Sequence, residues 1–169
     1  MFEIDVSLVC KKLIFCKDPP PSVSLSGAPV DRVTVFKLLG VHVASDLKWS
    51  HHIDAIASKA AARLHFLKQL KRSGSGRDDL LCFYGTVIRP VLEYACPVWH
   101  TSLTAVQTMA LESLQCRALC MIYEDGDYML SLIRAGFDML EARRETTDRA
   151  LFQMECSPRD VVLALSAPV

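Results

Sequence analysis

From Ser45 onward the apolar positions fall at helical spacing. Ile53, Ile56, Ala60, Leu64 and Leu67 recur three and four apart, the period of one buried helix face. Ser45 or Asp46 is placed to cap that helix, and Ser73-Gly74-Ser75-Gly76 stops it. A second helix, from about Asp78, turns Leu80, Tyr84, Val87, Val91 and Ala95 inward. Pro90 in its interior removes a backbone hydrogen bond and predicts a kink, and Pro97 ends it. Thr104 and Gln107 have capping-box spacing ahead of a third stripe, Leu111, Leu114, Ala118 and Ile122. After a turn at Glu124 to Asp127, Tyr128 to Arg134 predicts a short helix closed by Gly136. Asp138 and Glu141 then have the spacing of another capping box, opening a charged helix to about Met154.

Before Ser45 the pattern belongs to strands. Cys10 to Cys16 reads as a strand, and Pro19 to Pro21 interrupt it. Val23 to Leu25 and Arg32 to Val43 are β-branched runs around Gly27, Ala28 and Pro29, as in a β-hairpin, with Phe36 to Val43 read as strand throughout. The fold class that follows is α+β, predominantly α: a small N-terminal β element of strand plus hairpin, then a four- to five-helix bundle. The expected division is 1–44 for the β element, 45–156 for the helices and 157–169 for an apolar tail with no recognisable partner pattern.

Composition sharpens this in one place. The 169 residues are half hydrophobic, and 19 basic side chains balance 19 acidic ones, so a packed core is expected and net charge names no partner. The distribution is uneven. Between Ala55 and Arg77 lie Lys59, Arg63, Lys68, Lys71, Arg72 and Arg77 with no acid, whereas Glu112 to Arg149 holds eight acids against five bases. A basic helix in a neutral chain is the footprint of a nucleic-acid or acidic-partner surface, or simply a solvated face. The seven cysteines include no C-x-x-C pair; they read as small buried hydrophobes in a reducing compartment. No signal peptide and no run of about 18 apolar residues is visible. The expected setting is intracellular, cytoplasm or nucleus, without a membrane.

Catalytic chemistry finds no footing. His52-Ile53-Asp54 matches the H-x-D seed of iron- and 2-oxoglutarate-dependent oxygenases, with His65 and His100 as distant candidates for the third ligand. That triad needs a strand-built barrel, and here it opens an amphipathic helix, which predicts solvated His52 and Asp54 side chains. No phosphate-cradling glycine loop or nucleophile elbow is present. Asp78-Asp79 suits a helix N-terminus better than a cation. The expectation is no catalytic residues, no metal and no cofactor. Trp49 and Trp99 could stack on bases but fit core anchors better.

Three segments together carry a resemblance: FKLLGVHVASDLKWSHHIDAIASKAAARLHFLKQLKR, DLLCFYGTVIRPVLEYACPVWHTSLT and LESLQCRALCMIY. In this order they resemble the C-terminal part of the reverse transcriptases of non-LTR, LINE-type retrotransposons, over about Cys10 to Phe152. The resemblance implies the end of the polymerase palm at Lys11 to Phe15, a primer-grip-like hairpin with Lys37, Leu38, Leu39 and Gly40, then a thumb and its following helices. It further implies weak, sequence-independent contact with the backbone of an RNA–DNA or DNA duplex. Lys59, Arg63, Lys68, Lys71, Arg72 and Arg77 would supply the cations, with Lys48 near the grip. The family's Tyr/Phe-Ala-Asp-Asp turn and first metal aspartate have no counterpart here, so the missing palm and fingers would be partners and the chain alone is expected to catalyse nothing. A helical protein-interaction module is the alternative. The first segment is also similar to a region named for the N-terminus of an AlkB-type tRNA oxygenase–methyltransferase homologue, which would imply oxygenase or methyltransferase activity. Neither a cofactor loop nor a barrel accompanies it.

Overall fold

The structure is a computed structural model and describes residues 11–13, 24–25, 28–29, 31–124 and 126–155. The chain divides into two compact units, residues 1–54 and 55–169. Helices dominate, with short strands confined to the first unit. Asp125 and the tail after Ser157 lie outside the described residues.

In the first unit, β1 (Lys11–Leu13) runs parallel to β4 (Asp31–Val33), and β2 (Ser24–Leu25) pairs antiparallel with β3 (Ala28–Pro29). The third pair corrects the pattern reading of Phe36 to Val43 as continuous strand and has the hairpin form that the resemblance placed at Lys37 to Gly40. β5 (Val35–Leu38) folds back on β6 (Val41–Ala44), placing Phe36 opposite Val43 and Lys37 opposite His42. The turn is Leu39-Gly40, with φ of 46° and 87°. Two successive positive φ values define the hairpin turn whose twist matches the flanking strands. The apolar alternation hid it because leucine stands where asparagine or glycine is usual. Leu39 is 84% exposed, so its left-handed backbone is not offset by side-chain burial. Leu39→Gly is expected to stabilise the hairpin by about 1 kcal/mol, read as a rise in the denaturation midpoint; an unchanged or lower midpoint would contradict it.

The helix after the hairpin starts later than the Ser45 or Asp46 cap implied. Asp46 instead accepts from the Lys48 backbone N–H at 3.0 Å, closing a local turn, and Leu47 has φ of 57°. α1 then runs Ser50–Arg72. It ends as expected: Gly74 is left-handed at φ 86°, with Ser75 N–H on Leu70 O at 3.2 Å and Gly74 N–H on Lys71 O at 3.1 Å, the paired bonds of a Schellman stop.

In the second unit, α2 (Arg77–Phe83) widens into a π turn at Tyr84–Ile88 and resumes as α3 (Arg89–Glu93). Pro90 is the cause: it has no N–H for the ladder and its ring crowds the preceding turn, so Arg89 N–H reaches back five residues to Tyr84 O. After a left-handed Ala95 come α4 (Cys96–Trp99) and one 3₁₀ turn, His100–Ser102. Pro97 therefore opens α4 within its first turn rather than closing the preceding helix. α5 (Ala105–Tyr123) carries the Thr104/Gln107 capping box in full. α6 (Tyr128–Ala135) is closed by Gly136 at φ 65°, and α7 (Leu140–Glu155) follows. α5 packs on α2, α6 and α7, while α7 also meets α3 and α4. The core holds Leu64, Leu67, Leu80, Tyr84, Ile88, Leu92, Trp99, Leu111, Leu119 and Leu140, all buried. The start of α7 departs from the Asp138/Glu141 capping box. Leu140 N–H bonds Glu112 Oε2 at 3.1 Å, so the cap comes from α5.

Candidate nucleic-acid interface

Two kinds of cation lie along α1 and the turn after it. Arg63 donates through Nη1 to the Val87 carbonyl of the π turn. Lys71 donates to the Met121 carbonyl and pairs with Glu124 at 2.6 Å, closing the C-terminal end of α5. Its hydrogen bond and charge hold the Glu124 carboxyl below the ordinary range. Arg77 lies 5.2 Å over the Tyr123 ring. These three hold the bundle together. Lys59, Lys68 and Arg72 are exposed and have no acidic partner among the described residues.

The buried line of α1 is Ile53, Ile56, Ala60, Leu64 and Leu67. On a helix of 3.6 residues per turn, the opposite ridge is Asp54, Ser58, Ala61, Ala62, His65 and Gln69, all exposed. Lys59 flanks that ridge on one side, and Lys68 and Arg72, one turn apart, flank it on the other. Small residues along the crest leave room for close approach, and no acid stands between the flanks. The arrangement can place cations on either side of a polyanionic backbone.

The primer-grip-like residues belong to the first unit, at the tip of the β5–β6 hairpin. Lys37, Leu38, Leu39 and Gly40 are all exposed there. Lys48 pairs with Asp46 at 3.6 Å across open solvent, worth little.

The H-x-D reading is corrected at one residue. His52 is buried, only 2% exposed, and its Nδ1 accepts from the His42 backbone N–H at 3.3 Å. Asp54 is exposed, and residues two apart on a helix point away from one another, so the pair cannot chelate. Trp49 is half-buried with its ring edge-on to His52 at 6.1 Å. Trp99 is buried, its indole N–H on Tyr94 O at 3.0 Å. Among the described residues no group of three His, Cys, Asp or Glu side chains could hold a metal ion.

Burial, helped by the His42 charge, pushes His52 down to about 4. The unfolded chain binds its proton near 6.5, and the folded one does not until about 4. Stability from neutral His52 is therefore full above about pH 6.5 and is lost as pH falls to about 4, by about 3 kcal/mol. Urea denaturation across that window should show the loss, and His52→Gln should flatten it; an equally steep loss in the variant would assign the acid sensitivity elsewhere.

Sequence reasoning missed a buried polar cluster in the second unit. Gln115 is fully buried on α5, accepting from the Tyr84 hydroxyl and donating to the Tyr128 hydroxyl at 2.9 Å and Asp138 O at 3.0 Å. The Tyr128 hydroxyl donates to Glu112. Burial raises both phenols, and Tyr128 is raised further by its bond to Glu112. Beside the cluster, Glu93 binds Arg89 at 3.0 Å and Arg143 at 2.7 Å. The signal in the sequence was Gln115 itself, next to Leu114 in an otherwise apolar stripe. Its partners lie 13 to 31 residues away, beyond the reach of any local pattern. The hydrogen bonds run from one element of the bundle to the next, so the cluster ties the π turn, α5 and α6 together, and Glu112 joins the start of α7 to it. Cys116 and Cys120 are half-buried rather than core, their sulfurs 3.9 Å apart on one face of α5. Comparison of the chain with protein-family models, with curated proteins and with solved structures gave no match.

Proposed function

We propose that this chain is a non-catalytic helical module that holds the sugar-phosphate backbone of a nucleic-acid duplex weakly and without sequence preference. The observation that carries the reading is the outer ridge of α1 from Ser58 to Gln69, which holds no acid beyond Asp54 at its N-terminal end, with Lys59 on one flank and Lys68 and Arg72 on the other, none of them engaged within the bundle. Phosphate contacts need positioned cations more than base-specific groups. The resemblance to the thumb of non-LTR reverse transcriptases supplies the context: an RNA–DNA or DNA duplex inside the cell, with the polymerase chemistry belonging to the palm of that family.

The test divides the six cations. Binding of a fluorescent RNA–DNA duplex at low salt should fall at least tenfold when Lys59, Lys68 and Arg72 all become alanine. Arg63→Ala, Lys71→Ala and Arg77→Ala should each cost stability first and change the affinity of the folded protein less than threefold. Equal losses from the two sets would remove the assigned surface. A second reading, a protein-interaction module, is favoured by an apolar groove between α1 and the π turn.

A further inference from the structure

The α1 face that turns toward α2 does not close. Phe66, Leu70, Phe83 and Val87 wall an apolar groove of about 540 Å³, and Phe66 remains 56% exposed. Two apolar walls, Phe66 with Leu70 and Phe83 with Val87, each spaced one helical turn and bridged by Arg63 bonding the Val87 carbonyl, are the form of a site that receives one amphipathic helix. The groove's α1 wall has a charge as well. Lys59 and Arg63 precede Phe66 on the same helix face, and no acid occurs from Ala55 to Arg77. An occupant would therefore combine an apolar knob with carboxylates.

One element of this chain has that composition. Along α7, Glu141, Glu145, Asp148 and Phe152 recur four, three and four apart, which places them on one face. Phe152 is 61% exposed and its neighbour Leu151 43% exposed. Arg149 pairs with Glu145 at 3.7 Å; Glu141 and Asp148 have no basic partner among the described residues. We propose that the groove of one copy receives the C-terminal end of α7 from a second copy, with Phe152 seated against Phe66 and the acidic stripe lying toward Lys59 and Arg63. The contact joins two different surfaces, so it is head-to-tail and extends to further copies unless the geometry closes a ring. The apolar contact lies beside the outer ridge of α1 and not on it, and Lys59 is the one cation the two surfaces share, so Phe66→Glu and Phe152→Glu test the contact without touching the cations of the nucleic-acid reading.

Sedimentation equilibrium of the full chain tests this with two surface variants, Phe66→Glu and Phe152→Glu. Both side chains are largely exposed, and unchanged helical circular dichroism would show that each variant folds. The wild type should associate with rising concentration above the 18.8 kDa monomer, less at high salt. Each variant alone should stay monomeric. An equimolar mixture should recover a dimer and go no further, because Phe152→Glu keeps a working groove and Phe66→Glu keeps a working knob. A wild type monomeric at every concentration would overturn the proposal. So would association that persists in either variant, as pairing through exposed strand edges would produce. A mixture that stays monomeric would overturn it as well, because it would mean that like surfaces meet like.

Discussion

Gln115→Ala is expected to lower the unfolding free energy of the helical unit by about 3 kcal/mol. The side chain fills a fully buried position and serves three partners, Tyr84, Tyr128 and the Asp138 carbonyl. Truncation leaves the Tyr84 hydroxyl, itself fully buried, without its acceptor and removes the bond to the Asp138 carbonyl. The orphaned hydroxyl costs about 1–3 kcal/mol, and the void adds to it. Tyr84→Phe alone should cost about 1 kcal/mol. Combined with Gln115→Ala it should cost less than the sum, because the hydroxyl that would be orphaned is already gone. Urea denaturation followed by helical signal measures all three. A loss below about 1 kcal/mol for Gln115→Ala would mean that the network does not hold the bundle.

Arg144→Met is expected to act in the opposite direction. Arg144 is fully buried, yet none of its guanidinium nitrogens has a hydrogen-bond partner among the described residues. The nearest compensation is the Trp99 ring, 5.7 Å from the guanidinium carbon, together with the more distant charges of Glu112, Glu141 and Glu93. Burial holds the guanidinium below its ordinary value despite those acids. The sign follows: the unfolded chain favours the charged form more than the folded chain does, so the penalty is present at every pH below that ordinary value. Methionine keeps most of the packing volume and removes the charge. Replacing a buried charge with an apolar side chain of similar size often stabilises by about 1–4 kcal/mol, and losing the contact with Trp99 returns part of it. The net expectation is a gain of about 1–2 kcal/mol, measured at pH 7 by denaturation. A loss of similar size would show that the ring and the acids outweigh desolvation.

What the sequence disclosed and what it withheld divide along the range of the interactions. The α1 stripe, the stop at Gly74, the disturbance at Pro90, the Thr104/Gln107 box and the Gly136 closure are all set within one or two turns of chain, and each was legible. The Leu39-Gly40 turn was absent from the residue pattern, because leucine at a left-handed position carries no turn signal, and only the resemblance placed a hairpin there. The start of α1 was misplaced for a related reason: Asp46 has a capping side chain but uses it on Lys48 N–H. The cap of α7 comes from Glu112, 28 residues upstream, and no spacing rule reaches so far. The basic segment was visible as composition. Only the fold separates Arg63, Lys71 and Arg77, which bind a carbonyl, a carbonyl with a carboxylate, and a ring, from Lys59, Lys68 and Arg72, which face outward.

That separation fixes the most direct test of the proposed duplex binding, the salt dependence of affinity for a B-form DNA duplex. Each phosphate neutralised contributes about 0.9 to the slope of log affinity against log salt concentration. Three free cations predict a slope of about −2.7, falling to about −0.9 when Lys68 and Arg72 become alanine. A slope near −5, as all six cations would give, would mean that Arg63, Lys71 and Arg77 leave their intramolecular partners to bind. No binding even at the lowest salt would contradict the account and leave the groove beside α1 as the chain's surface for a partner.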